Sequence, residues 1–211
     1  RPCRAGGSSA QDVRICRLGA VLVFESNDRF GPVLNIVDGQ QRTTTLLMLM
    51  MAFYAGAVPV ARVKLRDIFS TEIGAPSRGI FAHGRVCRLA PRESHEREFL
   101  NWLVEYIDSH DITSIDTKVV SQEARAIFQN THKGQRFDKS DRAGVPRLLE
   151  AFEILFEETH DRLNSLTQEL QESSPLSQIT RKDVDEFFST YLAQHVRIVR
   201  ILSESESDAI R

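Results

Sequence analysis

Residues 33–56 read VLNIVDGQQRTTTLLMLMMAFYAG, and the change of pattern inside this stretch decides the fold. Residues 33–37 carry two valines and an isoleucine. Their stiff β-branched side chains suit a pleated backbone, so the run reads as a buried strand. Asp38 and Gly39 break it. Residues 46–52 are then apolar without a gap, and Gly56 and Pro59 supply a stop. That is a strand, a tight turn and a helix buried nearly all round.

Polar groups gather only where the helix starts: Asp38, Gln40, Gln41, Arg42, Thr43, Thr44 and Thr45. The first turn of any helix has backbone N–H groups without an intrahelical partner, and the helix dipole places partial positive charge there. Gly39 lets backbone approach a ligand closely. Arg42 adds a planar fork of donors suited to phosphate, and the threonine hydroxyls add short donors. The combination reads as a phosphate cradle. A plainer reading stands beside it, in which Asp38 simply N-caps a core helix.

The sequence Asp38-Gly39-Gln40-Gln41-Arg42, followed by Thr43-Thr44-Thr45-Leu46, resembles the DGQQR signature of the N-terminal domain of GmrSD-type modification-dependent restriction systems. Leu18-Gly19-Ala20-Val21-Leu22-Val23 resembles the LGxIVL strand that precedes it there. The resemblance is continuous over roughly residues 18–54. It implies a ParB/sulfiredoxin-like fold and a nucleotide-binding and hydrolysing site coupled to cutting of modified phage DNA. On that resemblance Asp38, Gln40 and Arg42 are expected to be catalytic. Gly39, Gln40, Gln41, Arg42, Thr43 and Thr44 are expected to bind the nucleotide, an NTP (GTP, ATP or CTP) with Mg2+. The implied partners are nucleotide, modified DNA through the full-length protein, and an HNH nuclease domain or subunit. The upstream YQR-type motif of the family is not found.

Length and composition fit this picture. A chain of 211 residues can bury a substantial core. With 41% hydrophobic and 27% charged residues it is an ordinary globular sequence. The net charge of −2 gives no global basic field, so any DNA contact needs a local patch. No apolar run reaches the roughly 18 residues of a membrane span, and no secretion signal opens the chain. Cys3, Cys16 and Cys87 are too scattered for a zinc site or a disulfide framework, and read as reduced thiols in a cytoplasm. With no initiator methionine and a last segment resembling a helix opening, the chain is expected to be a piece of a longer protein.

The remaining elements follow from local pattern. Residues 13–24 and 33–37 form a hairpin around the turn formers Asn27, Asp28, Gly31 and Pro32, with Arg29 a solvated charge at its tip. Residues 60–69 suit either a strand or a short helix, and 70–84 a surface loop with His83 exposed in it. A strand over 86–89 precedes a helix over 91–109, in which Trp102 belongs to the core. Helices are expected over 121–130, 145–172 and 181–193, the last capped by Thr180 and Asp183. A β-rich run, HVRIVRIL, covers 195–202. Its Arg197 and Arg200 suit a phosphate or, by the usual preference of arginine, a solvent-facing edge.

The expected fold class is α+β: a small mixed sheet with a strand, the DGQQR turn and a buried helix, followed by a mainly helical part. The expected division is an α/β part over 1–112 and a mainly helical part over 113–211 containing the late strand. Three functions compete. The first is an NTP-binding and hydrolysing module of an anti-phage restriction system. The second is a non-catalytic DNA-sensing or regulatory module of such a system, and the last is a nuclease in its own right. No P-loop, dinucleotide-binding glycine motif, HExxH or nucleophile elbow is present.

Overall fold

A computed structural model describes residues 16–28, 31–72, 85–91, 93–110, 116–131, 144–173 and 178–203. The fold is α+β. The chain forms two compact units, one of Arg1–Asp38 with Gln194–Arg211 and one of Gly39–Ala193.

The first unit is a three-stranded mixed sheet. Strand β1 (Cys16–Asp28) is central. Strand β2 (Gly31–Asp38) pairs with it antiparallel, from Asp28 opposite Gly31 to Leu22 opposite Asp38. The late strand, Val196–Ser203, pairs parallel to β1 on the other side, from Cys16 opposite Val196 to Phe24 opposite Ser203. Asn35 donates to Ser26 Oγ across the hairpin at 2.7 Å. The hairpin tip, with Arg29, lies outside the described residues.

The expectation of a buried strand over 33–37 is corrected by this topology. Val21 and Val23 of the central strand are buried, whereas Val33 and Leu34 are 37% and 45% exposed. The reason is position: among the described residues β2 is an edge strand, paired with β1 alone.

The second unit is built around α1 (Gln40–Gly56). Met48, Met51, Ala52, Phe53 and Ala55 of this helix are fully buried. The first two turns are not: Gln40, Gln41, Arg42 and Thr45 are exposed, and burial begins at Leu47, with Leu49 only half-buried. Residues 60–69 resolve as helix α2 (Pro59–Phe69), because Pro59 presets a helical φ at its first position. A two-stranded ribbon follows, β3 (Ser70–Glu72) antiparallel to β4 (Arg85–Cys87). His83 lies outside the described residues.

Helix α3 (Ser94–Ser109) brings Phe99, Leu100, Leu103 and Ile107 into the core with no exposure. Trp102 lies with them, ring to ring with Phe99 and edge-on to Phe128 of α4 (Thr117–Thr131). Long helix α5 (Gly144–Ser173) packs on α1, and its Leu149, Phe152 and Leu163 are buried. Each large apolar side chain so buried contributes about 1.5–3 kcal/mol before entropy is counted. Helix α6 (Arg181–Gln194) begins with the anticipated cap. Thr180 N and Oγ1 donate to Asp183 Oδ2 at 2.8 and 2.7 Å, and Asp183 N donates back to Thr180 Oγ1 at 3.3 Å. The strand Val196–Ser203 follows as β5. No helix among the described residues is long and apolar enough to cross a membrane.

Candidate functional site

The motif residues occupy one continuous strand-to-helix passage. Asp38 is the last residue of β2, exposed, and opposite Leu22 of β1. Gly39 follows with φ 86° and ψ 13°, in the left-handed region. That conformation strains any residue with a Cβ, so glycine sets the sharp change of direction. Gln40, Gln41 and Arg42 form the exposed first turn of α1, with Thr43 and Thr44 half-buried behind them.

The cap differs from the plainer sequence reading. Gly39, not Asp38, is the N-cap, and as a glycine it offers no side chain to cap the first turn. The backbone explains this: the first helical hydrogen bond closes on the Gly39 carbonyl, from Thr43 N, while Asp38 is still paired in the strand. The first turn contains no acidic residue, so nothing within the helix offsets the positive end of its dipole. Thr43 Oγ1 donates to the Gly39 carbonyl at 3.1 Å, beside the backbone bond from Thr43 N to the same oxygen, also 3.1 Å. Its proton thus points back into its own helical turn, a use the sequence did not reveal.

A second polar cluster lies at the opposite end of α1. His160 of α5 has its ring against Gly56, where a Cβ would collide with the imidazole. This adds a packing reason for the glycine that the sequence marked as the helix stop. The helix does end at Gly56, but Gly56 has no positive φ, and the chain leaves the helix through an extended Ala57. His160 Nε2 lies 3.1 Å from the Ala52 carbonyl and Nδ1 lies 2.9 Å from Arg181 Nη2. A carbonyl only accepts and a guanidinium only donates, so the ring is neutral with its proton on Nε2. Arg181 also bonds Asp185 Oδ1 at 2.6 Å and donates to Asn164 Oδ1. Asp185 is fully buried, and its other oxygen accepts from Val58 N at 3.1 Å. Burial, with the Arg181 charge beside it, holds the imidazole below its ordinary pKa, against the opposing pull of the Ala52 carbonyl.

A third cluster joins α1, α2 and α3. Tyr54 donates to Asp108 Oδ1 and Arg66 to Asp108 Oδ2, both at 2.5 Å. Arg62 lies over the Tyr54 ring, 5.0 Å from its centroid, and donates to the Ala55 and Ala57 carbonyls. Burial, together with the Asp108 carboxylate, raises the phenol pKa further above its already high value. The partner of the Tyr54 hydroxyl was not legible in the sequence, because Asp108 lies 54 positions away. Cys87 is buried in β4 and its thiol is pushed up to about 11, which keeps it unreactive near neutrality. Among the described residues no group of three or more His, Cys, Asp or Glu side chains is placed to hold a metal ion.

Residues 13–211 match a family model described as "GmrSD restriction endonuclease, N-terminal domain". The chain belongs to that family. Neither a curated protein nor a solved structure matches it. The GmrSD family places the chain in a DNA-acting restriction endonuclease system.

Proposed function

We propose that this GmrSD N-terminal domain binds and hydrolyses a nucleoside triphosphate, coupling the nucleotide to cleavage of modified DNA. The observation that carries the reading is the start of α1. It has a left-handed glycine, no side-chain cap and no acidic residue in its first turn, with Arg42 exposed among two glutamines. Such a terminus favours an anion by both its amides and its dipole. The donor set fits phosphate oxygens, because Arg42 supplies a fork and the turn supplies backbone N–H groups.

In this reading Arg42 and the first-turn amides of α1 hold phosphate oxygens and stabilise the charge that develops there. Gln40 and Gln41 position the nucleotide or the attacking water. Asp38, the carboxylate of the motif, orients that water. Magnesium, when bound with the triphosphate, would neutralise phosphate charge. Which of GTP, ATP and CTP is taken is a matter for titration.

Isothermal titration of the wild type and Arg42→Ala with GTP, ATP and CTP tests the reading. The wild type is expected to bind one of them at least tenfold more tightly than the variant, since hydrogen bonds to charged groups contribute about 1.5–3 kcal/mol each. Equal binding by the two proteins removes Arg42 from the site. Phosphate release by the full-length protein distinguishes turnover from the alternative, a regulatory module that senses DNA without hydrolysis.

A further inference from the structure

We propose that Arg17 of β1 and Arg197 of β5 form a contact for the phosphate backbone of DNA on one face of the three-stranded sheet. The two residues are direct partners in the parallel register. Partners across a ladder project to the same face from strands about 4.8 Å apart. Both are exposed, and neither has a carboxylate partner among the described residues. Among those residues, the one hydrogen bond of either guanidinium is a long one, 3.3 Å, from Arg197 to the Val196 carbonyl. Like charges opposite each other destabilise a sheet. An unneutralised pair is therefore a feature whose repulsion an anion relieves.

The surroundings set the kind of anion. The register shifts between Arg17 and Ala20, with Gly19 at φ 95°, so β1 carries a bulge directly after Arg17. Bulges are rare between parallel strands and re-aim neighbouring side chains. Alternation along β5 puts Val199 and Ile201 on the same face as Arg197, and both are half exposed. Through Ile201, Leu22 and Asp38 the register places Asp38 on that face too. Asp38 is four positions along, about 13 Å, too far to pair with either arginine. The face thus carries two exposed guanidinium groups side by side at one end and half-exposed Val199 and Ile201 beyond them. Two neighbouring cations suit successive phosphates of an extended polyanion. In a chain of net charge −2, such a local patch is where an electrostatic DNA contact belongs. The inference rests on the family's action on DNA and not on the nucleotide reading.

The test is binding of a short unmodified duplex by the whole chain across a salt series, since backbone contacts are indifferent to sequence. The variants are Arg17→Gln with Arg197→Gln, which keeps stems and removes charge, the corresponding lysine pair, and Arg200→Gln. Arg200 is three positions from Arg197 and so lies on the opposite face. For the wild type, log K is expected to fall steeply with log salt. The glutamine pair should lower that slope by about 1 for each phosphate it no longer neutralises, and bind several-fold more weakly at low salt. The lysine pair should keep the slope, and Arg200→Gln should leave it unchanged. Matching thermal midpoints establish that the variants are folded, and the single Arg17→Gln and Arg197→Gln variants, each expected to lower the slope by about 1, carry the comparison if the double variant is not. Salt-insensitive or absent wild-type binding overturns the proposal, as does an unchanged slope in the glutamine pair or an equal loss in Arg200→Gln. If the glutamine pair instead loses nucleotide binding in the titration that probes Arg42, the arginines serve the nucleotide and the assignment to DNA is wrong. Loss of nucleotide binding by Arg42→Ala with the salt slope intact leaves this proposal standing.

Discussion

The imidazole of His160 accepts a hydrogen bond from Arg181 while donating one to the carbonyl of Ala52. A proton added to His160 would land on Nδ1, facing a cation. The groups around the ring are the Arg181 guanidinium and Asp185 carboxylate from α6, Asp161 from α5, and the Ala52 carbonyl from α1. A histidine whose folded pKa is depressed binds fewer protons folded than unfolded. Its stabilising contribution is complete above the unfolded value, about 6.5, and is lost as pH falls below it toward the folded value. Urea midpoints at pH 7.5 and 5.5 should therefore fall more for the wild type than for His160→Gln. Equal shifts would show that other groups govern acid sensitivity.

Asp185 is the buried anion of that network, its side chain 1% exposed against Arg181 at 27%. Replacing it by alanine leaves the guanidinium without its partner and the Val58 amide without its acceptor. The expected loss is about 3–5 kcal/mol, the range for breaking one side of a buried ion pair. Asp185→Asn, which keeps an acceptor for Val58, should lose less. Denaturant titration at pH 7.5 checks both, and an alanine variant as stable as the wild type would remove the network from the account of how α6 is held.

Gly56→Ala separates two effects of opposite sign. Helix propensity favours alanine over glycine by about 1 kcal/mol. The added Cβ would meet the His160 ring, and overpacking typically loses about 1–3 kcal/mol. The collision is expected to dominate, giving net destabilisation. His160→Ala in the same chain should restore the benefit of the alanine, a coupling that a double-mutant cycle measures.

Gly39→Ala probes the turn of the motif. At φ 86° an L-residue is strained by roughly 1–2 kcal/mol, while asparagine tolerates the region better. The order of stability by thermal unfolding should be glycine, then asparagine, then alanine. If the proposed phosphate site is correct, nucleotide affinity should fall further than stability, because glycine is what lets the backbone approach a ligand closely.

Much of this protein was legible in its residues. Gapless apolar runs, β-branched stretches and punctuation by glycine and proline are local properties, and they marked β1, β2, α1, α5, α6 and β5 within a few residues. The Thr180–Asp183 cap was readable because both partners lie within one turn. The DGQQR string disclosed the family that the match over 13–211 then showed. Other features depended on neighbours distant in sequence. Whether the valine-rich β2 is buried depends on strand order, and an edge position left it half exposed. Why residue 56 is glycine depends on a histidine 104 positions later (160 − 56). That Arg17 stands opposite Arg197 depends on a parallel register, which no local pattern encodes. Local sequence dictates backbone preference because its energetics involve adjacent residues. Burial, tautomer and charge pairing arise only when separate segments meet, so the tertiary structure alone decided them.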